Sequence, residues 1–356
     1  MLTSTSGLSG SRIRLALAGI SVTLALAGCS GGTFSAPQLV PVPKATAPDG
    51  PLVHELTGDV SDAGALKHLQ ALQKIADEHG GNRASGTSGY DASVDYVAGV
   101  LRGAGFKVST PTYEASGDHR RRSTEPERNV IAQTSTGDPG NVVMIGAHLD
   151  SVEDGPGIVD DGSGVATLLE IATQLSADPS VQNAVRFAFF GGEENGAEGS
   201  SGYVDGLSTN DRKKIKLYLN VDMVASSNGG YFVQGGKGRD PDEAGPPGSA
   251  TIAQVLANQL VKTGVNKPEI IEFVGDDESP FIDAGIPVGG AENGDEERKT
   301  SAEAKAWGGQ AREHYDPCYH QACDRIDNVN RDVLDHYMHA IAGTVAYFAT
   351  SKDELR

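Results

Sequence analysis

The chain has 356 residues, with 29 Lys and Arg against 48 Asp and Glu and a formal net charge of −19. That balance excludes a general nucleic-acid binder, which needs a basic face to meet phosphates. A hydrophobic share of 38% with 22% charged residues excludes a disordered chain, and three cysteines exclude a scaffold built on disulfides.

Arg12 and Arg14 precede an almost wholly apolar run, Leu15 to Ala27, which is too short to span a bilayer but suits the core of a signal peptide. The run ends in Leu26-Ala27-Gly28-Cys29, and small residues before a cysteine resemble the bacterial lipobox, whose thiol is lipidated. Residues 1–28 therefore read as a lipoprotein signal peptide. Cys29 reads as the lipid attachment site, holding the protein to the outer face of the cell membrane. Residues 29–51, with Pro37, Pro41, Pro43, Pro48 and Pro51, read as an extended tether. Residues 52–356 remain as one domain. Of the cysteines, Cys318 and Cys323 are left, and in an exported protein such neighbours pair as one small disulfide loop.

Leu66, Leu69, Leu72, Ile75 and Ala76 recur at helical spacing and stop at His79-Gly80-Gly81. A second helix is predicted from Ser88 to Arg102. Strand-like runs follow over 106–113, 129–133 and 142–147, then a helix over 163–175. Residues 185–190 and 217–221 are short apolar runs, as in strands buried on both faces. Helix is predicted over 251–261, strand over 270–274 and a long helix over 333–349. Alternation of this kind predicts an α/β fold, a mostly parallel mixed central sheet with helices on both faces, which places ligands at the carboxyl ends of strands. His119-Arg120-Arg121-Arg122 reads as a solvated hairpin tip, 295–299 as loop, and Trp307 as core or pocket wall.

Polar residues gather at those strand ends. The strand 142–147 runs into His148-Leu149-Asp150. Asp160-Asp161-Gly162 stands at a helix start twelve residues after His148. The strand 185–190 runs into Gly191-Gly192-Glu193-Glu194, the strand 217–221 into Asp222, and Tyr319-His320 lies inside the Cys318–Cys323 loop. Two histidines and several carboxylates suit a pair of divalent metals, since zinc accepts mixed nitrogen and oxygen ligands and a carboxylate can bridge two ions. Glu193 and Glu194 are adjacent and cannot point the same way in extended backbone, so one can bind metal while the other acts as base.

In combination and order, these motifs resemble the zinc aminopeptidases of the M28 peptidase family, in the compact form of the secreted streptomycete-type enzymes. The likeness also rests on Gly81-Asn82-Arg83-Ala84, Ala92 to Val97, Gly146 to Ser151, Tyr218 to Met223, and Cys318-Tyr319-His320 with Cys323-Asp324. The resemblance implies two zinc ions, one held by His148 and Asp222, the other by Glu194 and His320, with Asp160 bridging. It implies Glu193 as general base, Asp150 as the acid that orients His148, Tyr319 as donor to the oxyanion, and a cis Asp160–Asp161 peptide. It also implies peptide substrates with a free N-terminus and an apolar first residue, and a monomer.

Two stretches depart from the family pattern. Compact relatives carry Arg and then Ser-Asp-His-Ala-Pro-Phe near the substrate amine. This chain has a shorter stretch, Gly275-Asp276-Asp277-Glu278-Ser279-Pro280-Phe281, without the Arg and with Glu278 in the His place. Asp276, Asp277 and Glu278 there would favour basic first residues. Relatives bind calcium through an acid pair near the C-terminus; here Asp335 is present but His339 stands at the second place, so the resemblance does not extend to calcium. Glutaminyl cyclase or carboxypeptidase chemistry on the same fold, and a non-catalytic peptide-binding lipoprotein, stay open as alternatives.

Overall fold

The computed structural model describes residues 50–115, 126–236, 244–352 and 355. The signal peptide, Cys29, all but the last two residues of the tether, and the tip at 119–122 lie outside the described residues. In chain order the elements are α1 (Pro51–Asp59), α2 (Asp62–Glu78), α3 (Ser88–Gly103), β1 (Lys107–Ser109), β2 (Thr112–Tyr113), β3 (Glu127–Arg128), β4 (Val130–Gln133), β5 (Asp138–His148) and α4 (Gly162–Leu175). There follow β6 (Asn183–Phe190), α5 (Glu198–Gly206), α6 (Thr209–Arg212), β7 (Ile215–Val221), β8 (Phe232–Gln234), α7 (Ser249–Lys262), β9 (Glu269–Ile271), α8 (Ser279–Asp283), β10 (Val288–Glu292), α9 (Ser301–Trp307) and α10 (Arg331–Thr350).

Eight strands form one sheet in the order β1-β4-β6-β5-β7-β10-β8-β9. The centre, β6-β5-β7-β10, is parallel, while on one side β4 runs antiparallel to β6 and β1 antiparallel to β4, and β8 pairs antiparallel with β10. This is the expected α/β fold. Side chains alternate across the pleat. Val143, Ile145 and Ala147 of β5 join the larger core cluster with residues of α2, α3, α4, α7 and α10. Val142 and Met144 join the smaller cluster on the opposite face, with Phe190, Tyr218 and Phe281.

The chain leaves β5 through α4 to β6 on one side, and β7 then pairs on the other side of β5. Strand order therefore reverses at β5, the place where α/β sheets open a crevice for ligands. The carboxyl ends of β5, β6, β7 and β10 all meet that crevice.

The predicted strand over 106–113 divides into β1 and β2, which pair with β4 and β3 respectively. Pro111 lies between them and has no N–H to donate to a ladder. Sequence patterning misses β10, because Val288-Gly289-Gly290-Ala291-Glu292 has little strand character. Its glycines admit close packing: a Cβ on Gly289 would stand 2.5 Å from Ile252, and one on Gly290 2.6 Å from Gln234. Among the described residues no helix is long and apolar enough to cross a membrane.

Candidate metal centre

His148 is the last residue of β5 and is 2% exposed. Its Nε2 lies 3.0 Å from Asp160 Oδ1 and 3.5 Å from Asp222 Oδ1. The other oxygen of Asp160, Oδ2, lies 3.1 Å from His320 Nε2, which in turn is 3.0 Å from Glu194 Oε2. Two groups of possible ligands result, His148-Asp160-Asp222 and Asp160-Glu194-His320, with Asp160 presenting one oxygen to each.

The donor set fits zinc. Tetrahedral zinc with bonds of roughly 2.0–2.2 Å separates neighbouring ligand atoms by about 3.3–3.6 Å, and the four distances here, 3.0, 3.5, 3.1 and 3.0 Å, reach or fall a little short of that. Glu194 Oε1 and Asp222 Oδ1 are buried with no hydrogen-bond partner. Burial, followed by neighbouring charges, pushes the Glu193 carboxyl up to about 9 and the Glu194 carboxyl up to about 7. A divalent cation is the largest charge such a site can hold and reverses that tendency. Burial opposes a charged His148, but Asp222, Asp150 and Asp160 together raise it well above its ordinary value. Hydrogen bonds to Asp160 and Glu194 lift His320 to about 10. Both imidazoles sit where a positive charge is wanted.

Surrounding residues fix this geometry. Asp150, fully buried, places Oδ1 3.6 Å from His148 Nδ1 and accepts the Glu193 backbone N–H at 3.2 Å. One carboxylate thus ties the end of β5 to the turn after β6. That turn needs Gly191 and Gly192: a Cβ on Gly191 would meet Tyr90 at 1.9 Å, and Gly192 has φ +68°. Asp161 caps α4 by accepting from Gly164 N at 2.8 Å, and it also takes the Met223 N–H at 3.0 Å, which anchors the backbone beside Asp222. The Asp160–Asp161 peptide bond is cis.

Two anchoring roles are not evident from sequence, though both residues lie in motifs quoted above. Arg83, fully buried, donates its guanidinium to the carbonyls of Leu149, Pro156 and Gly157, and its backbone N–H to Ser151 Oγ. It clamps the loop between His148 and Asp160. Asp324 accepts the N–H groups of Val159 and Asp160 at 2.8 and 3.1 Å, joining the Asp160 segment to the loop that carries His320. That loop is closed by the Cys318–Cys323 disulfide. Tyr319 stacks on His320 with ring centroids 3.8 Å apart, and burial, then Asp160, raises its phenol so that it stays a donor.

The centre opens into a cleft of about 540 Å³, lined by Asp160, Glu193, Glu194, Asp222, Tyr319 and His320 and continuing to Met223, Phe232, Ile271, Asp276, Glu292 and Tyr315. The sequence of peptidase family M28 is matched over residues 129–345. The chain belongs to peptidase family M28. It is 41% identical over 322 residues to "Leupeptin-inactivating enzyme 1" of Streptomyces exfoliatus, covering 89% of this chain and 67% of that protein. To the "Probable lipoprotein aminopeptidase LpqL" of Mycobacterium tuberculosis it is 42% identical, covering 81% of this chain and 59% of that one. The M28 chain thus spans about two thirds or less of these relatives' lengths. In structure it superposes on a zinc aminopeptidase from Bacillus subtilis with TM-score 0.63 and 17% identity over 83% of this chain and 96% of that one. It superposes on the glutaminyl cyclase of Porphyromonas gingivalis with TM-score 0.61 and 21% identity over 80% and 98%. These two likenesses concern the fold.

Of the three acids expected near the substrate amine, only Asp276 lines the cleft. Glu278 is fully buried and turns inward, where its Oε1 accepts from Gly275 N and Asp276 N at 2.9 and 3.2 Å. Asp277 is also buried, and its Oδ1 has no hydrogen-bond partner. Trp307 packs edge-on to Phe232 at 5.2 Å, behind the cleft wall. Lys299, within the expected loop, is 2% exposed and donates to Gly229 O at 2.8 Å. The surface charge run at 295–299 therefore ends in a buried structural lysine. Asp335 and His339 lie apart from the metal centre, along a second cleft with His54 and Lys262.

Proposed function

We propose that the protein is a two-zinc aminopeptidase that removes the first residue of peptides with a free N-terminus. The observation that carries this reading is the division of Asp160 between two ligand groups, with Glu193 left over beside them in the cleft. His148 and Asp222 would hold one ion, Glu194 and His320 the other, with Asp160 offering an oxygen to each. When bound, zinc supplies Lewis acidity toward the scissile carbonyl and lowers the pKa of water.

The side chains do the rest. Glu193 takes the proton of the attacking water and returns it to the leaving amine. Tyr319 donates its hydroxyl to the carbonyl oxygen as negative charge grows there. Asp150 keeps the His148 ring oriented. Asp222 and Glu193 present carboxylates to the cleft, where a protonated α-amine forms charge-assisted hydrogen bonds. Met223, Phe232, Ile271 and Val274 offer apolar surface to the hydrocarbon part of the first side chain. The small disulfide loop and the mycobacterial relative's name as a probable lipoprotein support export with a lipid at Cys29.

Digestion of a defined peptide by zinc-reconstituted protein, read by mass spectrometry, tests the reading. Stepwise loss from the free N-terminus with the acetylated peptide intact is the expected result. Cleavage of the acetylated peptide, trimming from the C-terminus, or ring closure of an N-terminal Gln peptide without hydrolysis would contradict it.

A further inference from the structure

Beyond Asp222 the cleft combines apolar walls with four carboxylates that the metal centre does not use. Met223, Phe232, Ile271 and Tyr315 form the walls, and Asp276, Glu292, Asp295 and the exposed Glu297 provide the acids, of which Glu292 stands nearest Asp222 in the sheet. Glu292 is the last residue of β10, one step past the Ala291↔Val221 pair, and so stands beside Asp222 on the neighbouring strand. The Asp222 N–H donates to Ala291 O at 3.1 Å, which fixes that adjacency. Gln234, fully buried on β8, donates Nε2 to Glu292 Oε2 at 2.9 Å and orients the carboxylate. Asp276 is presented to the cleft by the turn that Glu278 holds from within. Among the described residues neither Glu292 nor Asp276 has a cationic partner.

We infer that this chamber receives the side chain of the substrate's first residue, and that Glu292 with Asp276 selects a cationic head, lysine or arginine, over a purely apolar one. The inference rests on the aminopeptidase reading. The carbon that carries the α-amine also carries the first side chain. An amine held by Glu193 and Asp222 therefore sends that side chain toward the neighbouring strand end, where Glu292 stands. Lysine and arginine have hydrocarbon stems that pack along apolar walls while the charged head reaches a polar group. At Glu292 and Asp276 that head forms charge-assisted hydrogen bonds, whereas leucine leaves both carboxylates desolvated without a partner. The first residue is thus read twice, by its stem and by its charge.

The test compares kcat/KM of the zinc-loaded full chain on Lys-, Arg-, Leu- and norleucine-p-nitroanilide, norleucine being an unbranched stem without charge. Lys and Arg should exceed norleucine by about tenfold or more, the scale at which a partnered polar group discriminates. Glu292→Gln should cut the Lys-to-norleucine ratio by about tenfold, and Asp276→Asn should cut it by a smaller factor. A general loosening of the fold would lower both substrates together and leave the ratio alone. Norleucine or Leu equal to Lys on the unaltered protein would overturn the inference, as would an unchanged ratio in folded Glu292→Gln. If Glu292→Gln does not fold, an unchanged ratio in Asp276→Asn overturns it. No release from any of the four substrates would instead sink the aminopeptidase reading on which it stands.

Discussion

Glu193 and Glu194 are neighbours in sequence with different surroundings. Glu194 faces His320 at 3.0 Å, whereas Glu193 has only its backbone tied, to Asp150, and its carboxyl lines the cleft. Glu193→Gln keeps size and shape and removes the proposed proton acceptor. Turnover should fall by about 10²–10⁴, with zinc content unchanged by elemental analysis. Near-normal kcat in a zinc-loaded variant would show that another group moves the proton. The adjacency of the two acids was visible in the sequence, but the backbone there is a turn in which Gly196 and Ala197 donate to Glu193 O, not the extended chain expected, and the turn is what separates the two carboxyls. The use of Arg83 was not visible. Its partners are three backbone carbonyls, and carbonyls leave no mark on residue identity.

At the scale of elements, the site depends on loops held by buried polar groups. The Cys318–Cys323 disulfide spans only five positions. Closing so short a loop contributes about 2 kcal/mol on the chain-entropy account. Its larger effect is to hold Tyr319 and His320, the latter at φ +55° in the left-handed region. Cys318→Ser should therefore weaken zinc affinity clearly while lowering the melting temperature modestly, as read by zinc titration and calorimetry on the same sample. A large loss of stability with normal zinc affinity would contradict this role. Strands rich in β-branched and aromatic residues, such as β6 and β7, could be read from the sequence. The glycine-rich β10 could not, since its place is set by packing on α7 and β8 rather than by its own residues. Glu292 stayed hidden for the same reason: without β10, nothing marks it as a strand end beside Asp222.

Across the whole molecule, buried acids dominate the response to pH. Burial raises Glu193 to about 9, Glu194 and Glu292 to about 7 and Asp324 to about 8. His320 is raised to about 10 by its carboxylate partners. For all of them the folded value lies above the unfolded one. Their contribution to stability is full at low pH and is lost as pH climbs through the folded values. His68, lowered to about 4 by burial, acts in the opposite sense up to its ordinary value, but it is a single group. Metal-free protein should therefore melt at lower temperature at pH 8 than at pH 5, and added zinc should raise the melting temperature more at pH 8. A metal-free melting temperature that rises over that interval would refute the placement of these acids. The central claim is that one shared carboxylate, Asp160, holds two zinc ions for catalysis. The most direct test is zinc bound per chain, measured by elemental analysis after dialysis, for the unaltered protein and for Asp160→Ala. The account predicts two zinc ions in the first and depletion of both in the second. One zinc ion in a fully active unaltered protein, or two retained by Asp160→Ala, would contradict it.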